Sequence, residues 1–245
     1  MHTYLLKLGP EMLGSAYTKP IDRQIAAALP SFCVRLRLQD TAQLLADTLL
    51  PLLRSNPNLP LRLINIAGGP AMDSLNALIL LTQQTGILEQ RPVSIDVLDL
   101  DDSGPAFGAA ALAALSQPGG PLHGLRITLR HVPYDWTQAE ELPQLLNEAH
   151  ATDQLTICSS EGGLFEYGSD EEIDSNLKVL RAQPQLVAVA GSVTRADEPV
   201  QQLRKTTTAK TRPRGLPVFA ALADRARWKI TRAIERPFSD QMVLT

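Results

Sequence analysis

Two cysteines among 245 residues exclude a disulfide framework, and the pair is too sparse for a zinc centre. Cys33 and Cys158 lie far apart, and Cys158 falls in an apolar run, the usual setting of a buried free thiol. A reducing compartment, the cytoplasm, is therefore expected. Long apolar runs are missing as well, and none approaches the length of a membrane span. Residues 1–10 lack the sustained apolar segment behind a basic stretch that marks a secretory leader. Neither sign of charge dominates. A net charge of −3 gives no global pull toward nucleic acid or an anionic membrane. Internal repeats and low-complexity tracts are also absent.

What remains is the profile of a soluble globular chain, with 44% apolar and 20% charged residues. The charge is uneven. Residues 195–236 carry 11 basic and 4 acidic side chains, which reads as a solvated face or as a positive wall beside a site for something anionic.

Residues 1–58 read as a helical preface. Pro20 and Pro30 bracket a short helix with Ile21 and Ile25, and Leu44, Leu45, Leu49, Leu52 and Leu53 recur at helical spacing across 40–54. Pro51 falls inside that pattern and predicts a kink or an early stop. The turn-rich stretch 55–60 then separates a helical cap, 1–58, from a second unit, 59–245. In that unit short apolar runs alternate with helical patterns. Strands are expected at 61–67, 93–100, 125–132, 155–159 and 185–192, and helices at 71–84, 105–115, 140–150 and 170–182. Such alternation specifies an α/β fold with a mostly parallel sheet and helices on both faces. A helix over 217–226 and strands at 228–235 and 241–245 add an antiparallel hairpin at the edge. The basic stretch 204–214 reads as a mobile loop.

Four motifs follow the strands. Ala67-Gly68-Gly69-Pro70 joins the first strand to a helix, and glycines at such a turn let backbone approach a nucleotide closely. The dinucleotide pattern G-x-G-x-x-G is absent, which argues against a pyrophosphate ligand. Asp99 ends the second strand, where a carboxylate can accept from both ribose hydroxyls; Asp101 is the fallback, and helix capping is the competing role. Asp135 and Trp136 follow the third strand, where an acid can accept from an adenine amino group while an apolar ring packs on the base; Trp136 also suits a core position. Ser159-Ser160-Glu161-Gly162-Gly163 follows the fourth strand, and a carboxylate flanked by glycines there is poorly explained by packing.

In order and placement these stretches resemble the motifs of class I S-adenosylmethionine-dependent methyltransferases, over about residues 61–245. IAGGPAMDS is similar to the glycine-rich first motif, VLDLDD to the acidic second and VPYDW to the adenine-side third. SSEGGLFEYG resembles, more loosely, a stretch of the leucine carboxyl methyltransferase-like branch. The resemblance implies a Rossmann-like, seven-stranded sheet and an S-adenosylmethionine cofactor. Ala67, Gly68 and Gly69 would contact its methionine part, and Asp99 and Leu100 its ribose. Asp135 and Trp136 would bind adenine, and Ser159, Ser160 and Glu161 would line the sulfonium end. The expected acceptor is a small molecule methylated on a carboxyl or hydroxyl oxygen, with His131, Glu161 and Tyr167 as candidate bases and Arg195 as a candidate partner for an anionic acceptor. No metal, nucleic acid or membrane enters this reading, and a homodimer is compatible with it. A nicotinamide-dependent oxidoreductase and a non-catalytic cofactor-binding module are the alternatives.

Overall fold

The computed structural model describes residues 8–84, 86–147, 153–205 and 209–245. Seven strands run β1 Leu61–Ile66, β2 Pro92–Asp99, β3 Arg126–Pro133, β4 Leu155–Ser160, β5 Leu186–Thr194, β6 Ile230–Glu235 and β7 Ser239–Leu244. They form one sheet in the order β3-β2-β1-β4-β5-β7-β6. The first five are parallel neighbours, and β7 runs antiparallel to both β5 and β6. The strand order reverses between β1 and β4, so the crevice above their C-terminal ends is the topological switch point of a Rossmann-like sheet.

Strand alternation divides the core in two. Leu61, Leu63, Val93, Ile95, Val97 and Ile157 point to one face. There they meet Leu45, Leu49 and Leu53 of α2 (Leu29–Ser55) and Leu75 and Leu78 of α3 (Met72–Thr82), beside α4 (Ser103–Leu115). Ile64, Ile66, Leu98, Cys158 and Val189 point to the other face. They meet Leu142 and Leu146 of α5 (Leu142–Asn147), Ile173, Leu177 and Leu180 of α7 (Asp170–Arg181), and Phe219 of α9 (Gly215–Arg225). The buried half of α2 thus belongs to the same core cluster as the sheet.

Several elements differ from expectation. A short α1 (Pro20–Ala27) precedes α2, which starts at Leu29 and passes through Pro51 to Ser55 without stopping. Packing of Leu45, Leu49 and Leu53 holds the helix on both sides of the proline. The helix expected over 140–150 is a 3₁₀ turn at Ala139–Glu141 followed by α5, and residues 148–150 lie outside those described. Two short helices, α6 (Leu164–Tyr167) and α8 (Glu198–Arg204), occupy connections with no periodic pattern of their own. In the stretch read as a mobile loop, residues 206–208 lie outside those described, but 212–214 are pinned. The Arg212 N–H donates to the Glu166 carbonyl at 2.7 Å, and Arg214 is buried, donating to Asp170 at 2.7 Å and to the Gly168 carbonyl at 2.6 Å. Both cysteines are free, and burial pushes the Cys158 thiol far up. No helix among the described residues is long and apolar enough to cross a membrane.

Candidate cofactor site at the sheet switch point

The turn from β1 into α3 has left-handed backbone at three alternate positions: Ala67 (φ 54°), Gly69 (φ 60°) and Ala71 (φ 50°). Two of the three carry a Cβ, which costs roughly 1–2 kcal/mol each in this region. Such strain persists only where the surroundings impose the turn. Asn65 supplies part of that constraint. Fully buried beneath the turn, it accepts from the Gly68 N–H at 3.0 Å. Its amide donates to Asp73 of α3 at 2.8 Å and to Ser159 of β4 at 3.1 Å. A Cβ on Gly68 would fall 2.2 Å from the Asn65 side-chain oxygen, so glycine is required there. From the other side Gly104 of α4 packs on Gly69, where a Cβ on Gly104 would lie 2.7 Å from the Gly69 Cα.

Asp99, at the end of β2, reaches this turn. One carboxylate oxygen accepts from the Gly69 N–H at 3.1 Å, and the other from the Asp101 N–H at 3.0 Å. Each oxygen keeps a further lone pair for a hydroxyl. Leu100, the next residue, is 69% exposed on the rim. The Asp101 side chain is taken up locally: it accepts from the Ser103 N–H at 2.7 Å and from the Ser103 hydroxyl, and these bonds hold its carboxyl below the usual range. His131, half-buried on β3, sits with Nε2 2.8 Å from the Asp99 carbonyl, a bond it makes as the Nε2–H tautomer.

Past β4 the chain folds back over β1. The Ser160 hydroxyl donates to the Ile66 carbonyl at 3.0 Å, and Gly163 lies so close to Ala67 that a Cβ would come within 2.5 Å of its carbonyl oxygen. Glu161 is 2% exposed. Its Oε1 accepts from Arg37 Nε of α2 at 2.6 Å. Nη1 of the same guanidinium donates to Glu166 at 3.2 Å, and Ser192 and Thr194 at the end of β5 donate their hydroxyls to Glu166 as well. Burial disfavours the charge on Arg37, but the two glutamates outweigh it and hold the guanidinium firmly protonated. Arg37 lies over Gly162 (φ 69°), whose Cβ, if present, would meet Nη2 at 2.5 Å. Tyr167, partly exposed, has its hydroxyl pKa raised by burial and by Glu166, with Arg37 opposing.

Ala67, Gly68, Gly69, Asp99, Ser159, Ser160 and Glu161 are thus brought together at the C-terminal ends of β1, β2 and β4. Asp135 and Trp136 stand to one side. The Asp135 carboxylate accepts from the Thr137 N–H at 2.9 Å. The half-buried Trp136 lines a groove of about 370 Å³ against α7, together with Thr137, Ala139, Glu140, Glu171 and Ser175. Arg195, proposed for an anionic acceptor, is engaged by Asp197 at 2.7 Å, Asp240 at 3.3 Å and Glu235 at 3.6 Å. Two residues of the site escape a reading of the motifs. Asn65 left a trace, as a polar residue inside the apolar strand LRLINI. Arg37 left none, because its partner is 124 positions away. Among the described residues no group of three or more His, Cys, Asp or Glu is placed to hold a metal.

Strand order, switch point and crevice together define the class I methyltransferase-like fold. Among solved structures, the chain is similar to an O-methyltransferase family protein from Burkholderia thailandensis, at 12% identity and a TM-score of 0.54, covering 94% of this chain and 61% of that one. It is similar to mitomycin 7-O-methyltransferase MmcR at 12% identity and a TM-score of 0.52, covering 97% of this chain and 60% of that one. A protein from Galdieria sulphuraria, provisionally assigned as a sarcosine dimethylglycine methyltransferase, matches at 12% identity and a TM-score of 0.51, covering 98% of this chain and 91% of that one. The chain thus spans about three fifths of the length of the first two. Likeness at this identity establishes the fold. No protein-family model and no curated protein matches the sequence.

Proposed function

We propose that this chain binds S-adenosylmethionine across the switch point and transfers its methyl group to an oxygen, carboxyl or hydroxyl, of a small molecule. The observation that carries the reading is the strained turn at 67, 69 and 71, tied through the Gly69 N–H to the Asp99 carboxylate. A turn without side-chain bulk at Gly68 and Gly69, next to an acid with spare lone pairs and an exposed leucine, suits a nucleoside that needs close backbone approach. The solved proteins named as methyltransferases share this fold, which supports the choice over a nicotinamide-dependent oxidoreductase.

In this reading Asp99 accepts from the ribose hydroxyls and Leu100 packs beside the base. Asp135 remains the candidate for the adenine amino group, Trp136 lies away from it in the groove against α7, and Ala67, Gly68 and Gly69 line the methionine part. Ser159, Ser160 and Glu161 close the sulfonium end. When bound, the cofactor supplies a methyl group already activated by its sulfonium. The protein's own work is then alignment and exclusion of water. Tyr167, partly exposed at the rim, and Glu161 are the groups placed to orient an acceptor hydroxyl or receive its proton. His131 acts from behind, fixing the end of β2 through the Asp99 carbonyl. The acceptor is taken to be neither nucleic acid nor a membrane lipid and the protein to work in the cytoplasm, and a homodimer is compatible with this reading.

Calorimetric titration tests the proposal. S-adenosylhomocysteine is expected to bind and NAD is not, and Asp99→Ala is expected to weaken the former by about 1–3 kcal/mol, the usual loss for hydrogen bonds to a charged group. Binding of NAD in place of S-adenosylhomocysteine would transfer the site to the oxidoreductase class. Binding without turnover across a broad acceptor panel would favour a non-catalytic module.

A further inference from the structure

Asp135 lies beyond Pro133, the last residue of β3, so the sheet no longer fixes its position. Its place is set from α7 instead. Asn176 stands on the buried stripe of that helix with Ile173, Leu177 and Leu180, and it is fully buried. Its amide nitrogen donates to the Glu172 carbonyl one turn back at 2.8 Å, and to the Trp136 carbonyl at 2.8 Å. Both partners can only accept, so the amide nitrogen must face them and the amide oxygen faces Tyr134. Tyr134 is 3% exposed, and its hydroxyl donates to that oxygen at 2.6 Å. Burial pushes the Tyr134 pKa up, which keeps the hydroxyl a donor. One amide thus grips both neighbours of Asp135: the side chain of the residue before it and the carbonyl of the residue after it. The Tyr134 N–H also donates to the Asp99 carbonyl at 3.3 Å, which links this clamp to the end of β2.

Packing alone does not call for a polar pair at this depth. The surroundings are the apolar cluster of Leu142, Leu146, Ile173 and Leu177, and leucine and phenylalanine offer similar shapes with no polar atom to satisfy. What the pair adds is direction, since a fully bonded buried network holds its members in one arrangement. Asp135 has an oxygen to direct. Its Oδ1 accepts from the Thr137 N–H at 2.9 Å, and its Oδ2 makes no hydrogen bond among the described residues. We propose that Asn176 and Tyr134 are positioning residues for Asp135, and that they set the preference of the site for adenine over a base with an oxo group in place of the exocyclic amine. This rests on the reading above, in which Asp135 takes the adenine amino group. An amino group donates to a carboxylate, whereas an oxo group only accepts. The oxo base carries a ring N–H next to that position, and a carboxylate free to turn can reach it. Selectivity therefore depends on how firmly the carboxylate is held. Through the Tyr134 N–H the same clamp keeps Asp99 and Asp135, the ribose and base acceptors, at one spacing.

Two ligands separate this role from a structural one. S-adenosylhomocysteine and S-inosylhomocysteine differ only in the exocyclic group and the ring nitrogen beside it. In calorimetry on the whole chain, the unmodified protein is expected to bind the adenine ligand about tenfold more tightly or better, the value of one charge-assisted hydrogen bond. Tyr134→Phe, which removes one oxygen and keeps the ring, is expected to cut that ratio to about threefold or less. Asn176→Leu is expected to do the same, and if that variant does not fold, Tyr134→Phe decides alone. In an Asp135→Ala background Tyr134→Phe is expected to leave the ratio unchanged, because the group it positions is gone. An undiminished ratio in the variants, with both ligands weakened alike or neither weakened, would overturn the positioning role while leaving the cofactor reading intact. Equal binding of the two ligands by the unmodified protein would remove Asp135 from the base, and this inference with it. Failure of the unmodified protein to bind S-adenosylhomocysteine would instead overturn the cofactor reading itself.

Discussion

At the scale of single residues, the turn after β1 shows how backbone conformation and residue type separate. Positions 67, 69 and 71 all adopt left-handed φ, yet only the middle one is glycine. The sequence reads Ala67-Gly68-Gly69, so glycine and other residues do not alternate in the letters, but the conformation does alternate. Gly68 is needed for space rather than for φ, since the Asn65 side chain fills the volume of its Cβ. Ala67 is half-buried and carries the strain. Ala67→Gly is expected to stabilise the fold by about 0.5–1 kcal/mol, because relief of the left-handed cost exceeds the entropy glycine adds to the unfolded chain. Thermal melting would show a rise of roughly 2 °C. A fall would mean that the turn is not held left-handed at that residue. The same residue scale explains why Arg37 is invisible in the sequence. An arginine in a helical stretch looks solvated until the fold brings Glu161 to it.

At the scale of elements, the strands were legible and the helix ends were not. Every strand falls within one or two residues of its expected span; β1, β4 and β7 are buried along their whole length, while β3 and β6 expose alternate or most positions. The capped helix α7 was legible for a local reason: Ser169 and Glu172 close a capping box, with bonds of 3.1 and 2.8 Å. Helix α2 was read too short and too readily broken. Pro51 has no N–H to donate, and local chemistry predicts a stop. Tertiary packing of Leu45, Leu49 and Leu53 on the sheet overrides it. Since Pro51 is exposed, nothing but the helix constrains it. Pro51→Ala is expected to stabilise the protein by about 1–3 kcal/mol by restoring the missing bond. Denaturant unfolding reads that change as a higher midpoint at constant slope, and a lower midpoint would show that the proline serves the native helix. That the turns after β1, β2 and β4 meet was legible because the switch point must lie at strand ends. The motif after β3 was only half so: the letters Asp135-Trp136 do not reveal that the indole turns toward α7.

At the scale of the whole molecule, three long-range ties build the crevice from distant parts of the chain. Gly69 meets Asp99 between β1 and β2, Gly163 meets Ala67 between β4 and β1, and Arg37 meets Glu161 between α2 and β4. Each tie involves a backbone that no side chain could replace or a charge that no neighbour in sequence supplies. Loss of one therefore shifts the others, so substitutions in this group should couple rather than add. The central claim, that an adenosyl group lies across this rim, is tested most directly by a crystal structure of the chain grown with S-adenosylhomocysteine. The account predicts ribose hydroxyls on the Asp99 carboxylate and the methionine part of the ligand along the Ala67–Gly69 turn. A nucleoside bound elsewhere, or a rim that stays closed by the Arg37–Glu161–Glu166 group with no ligand in it, would contradict the account.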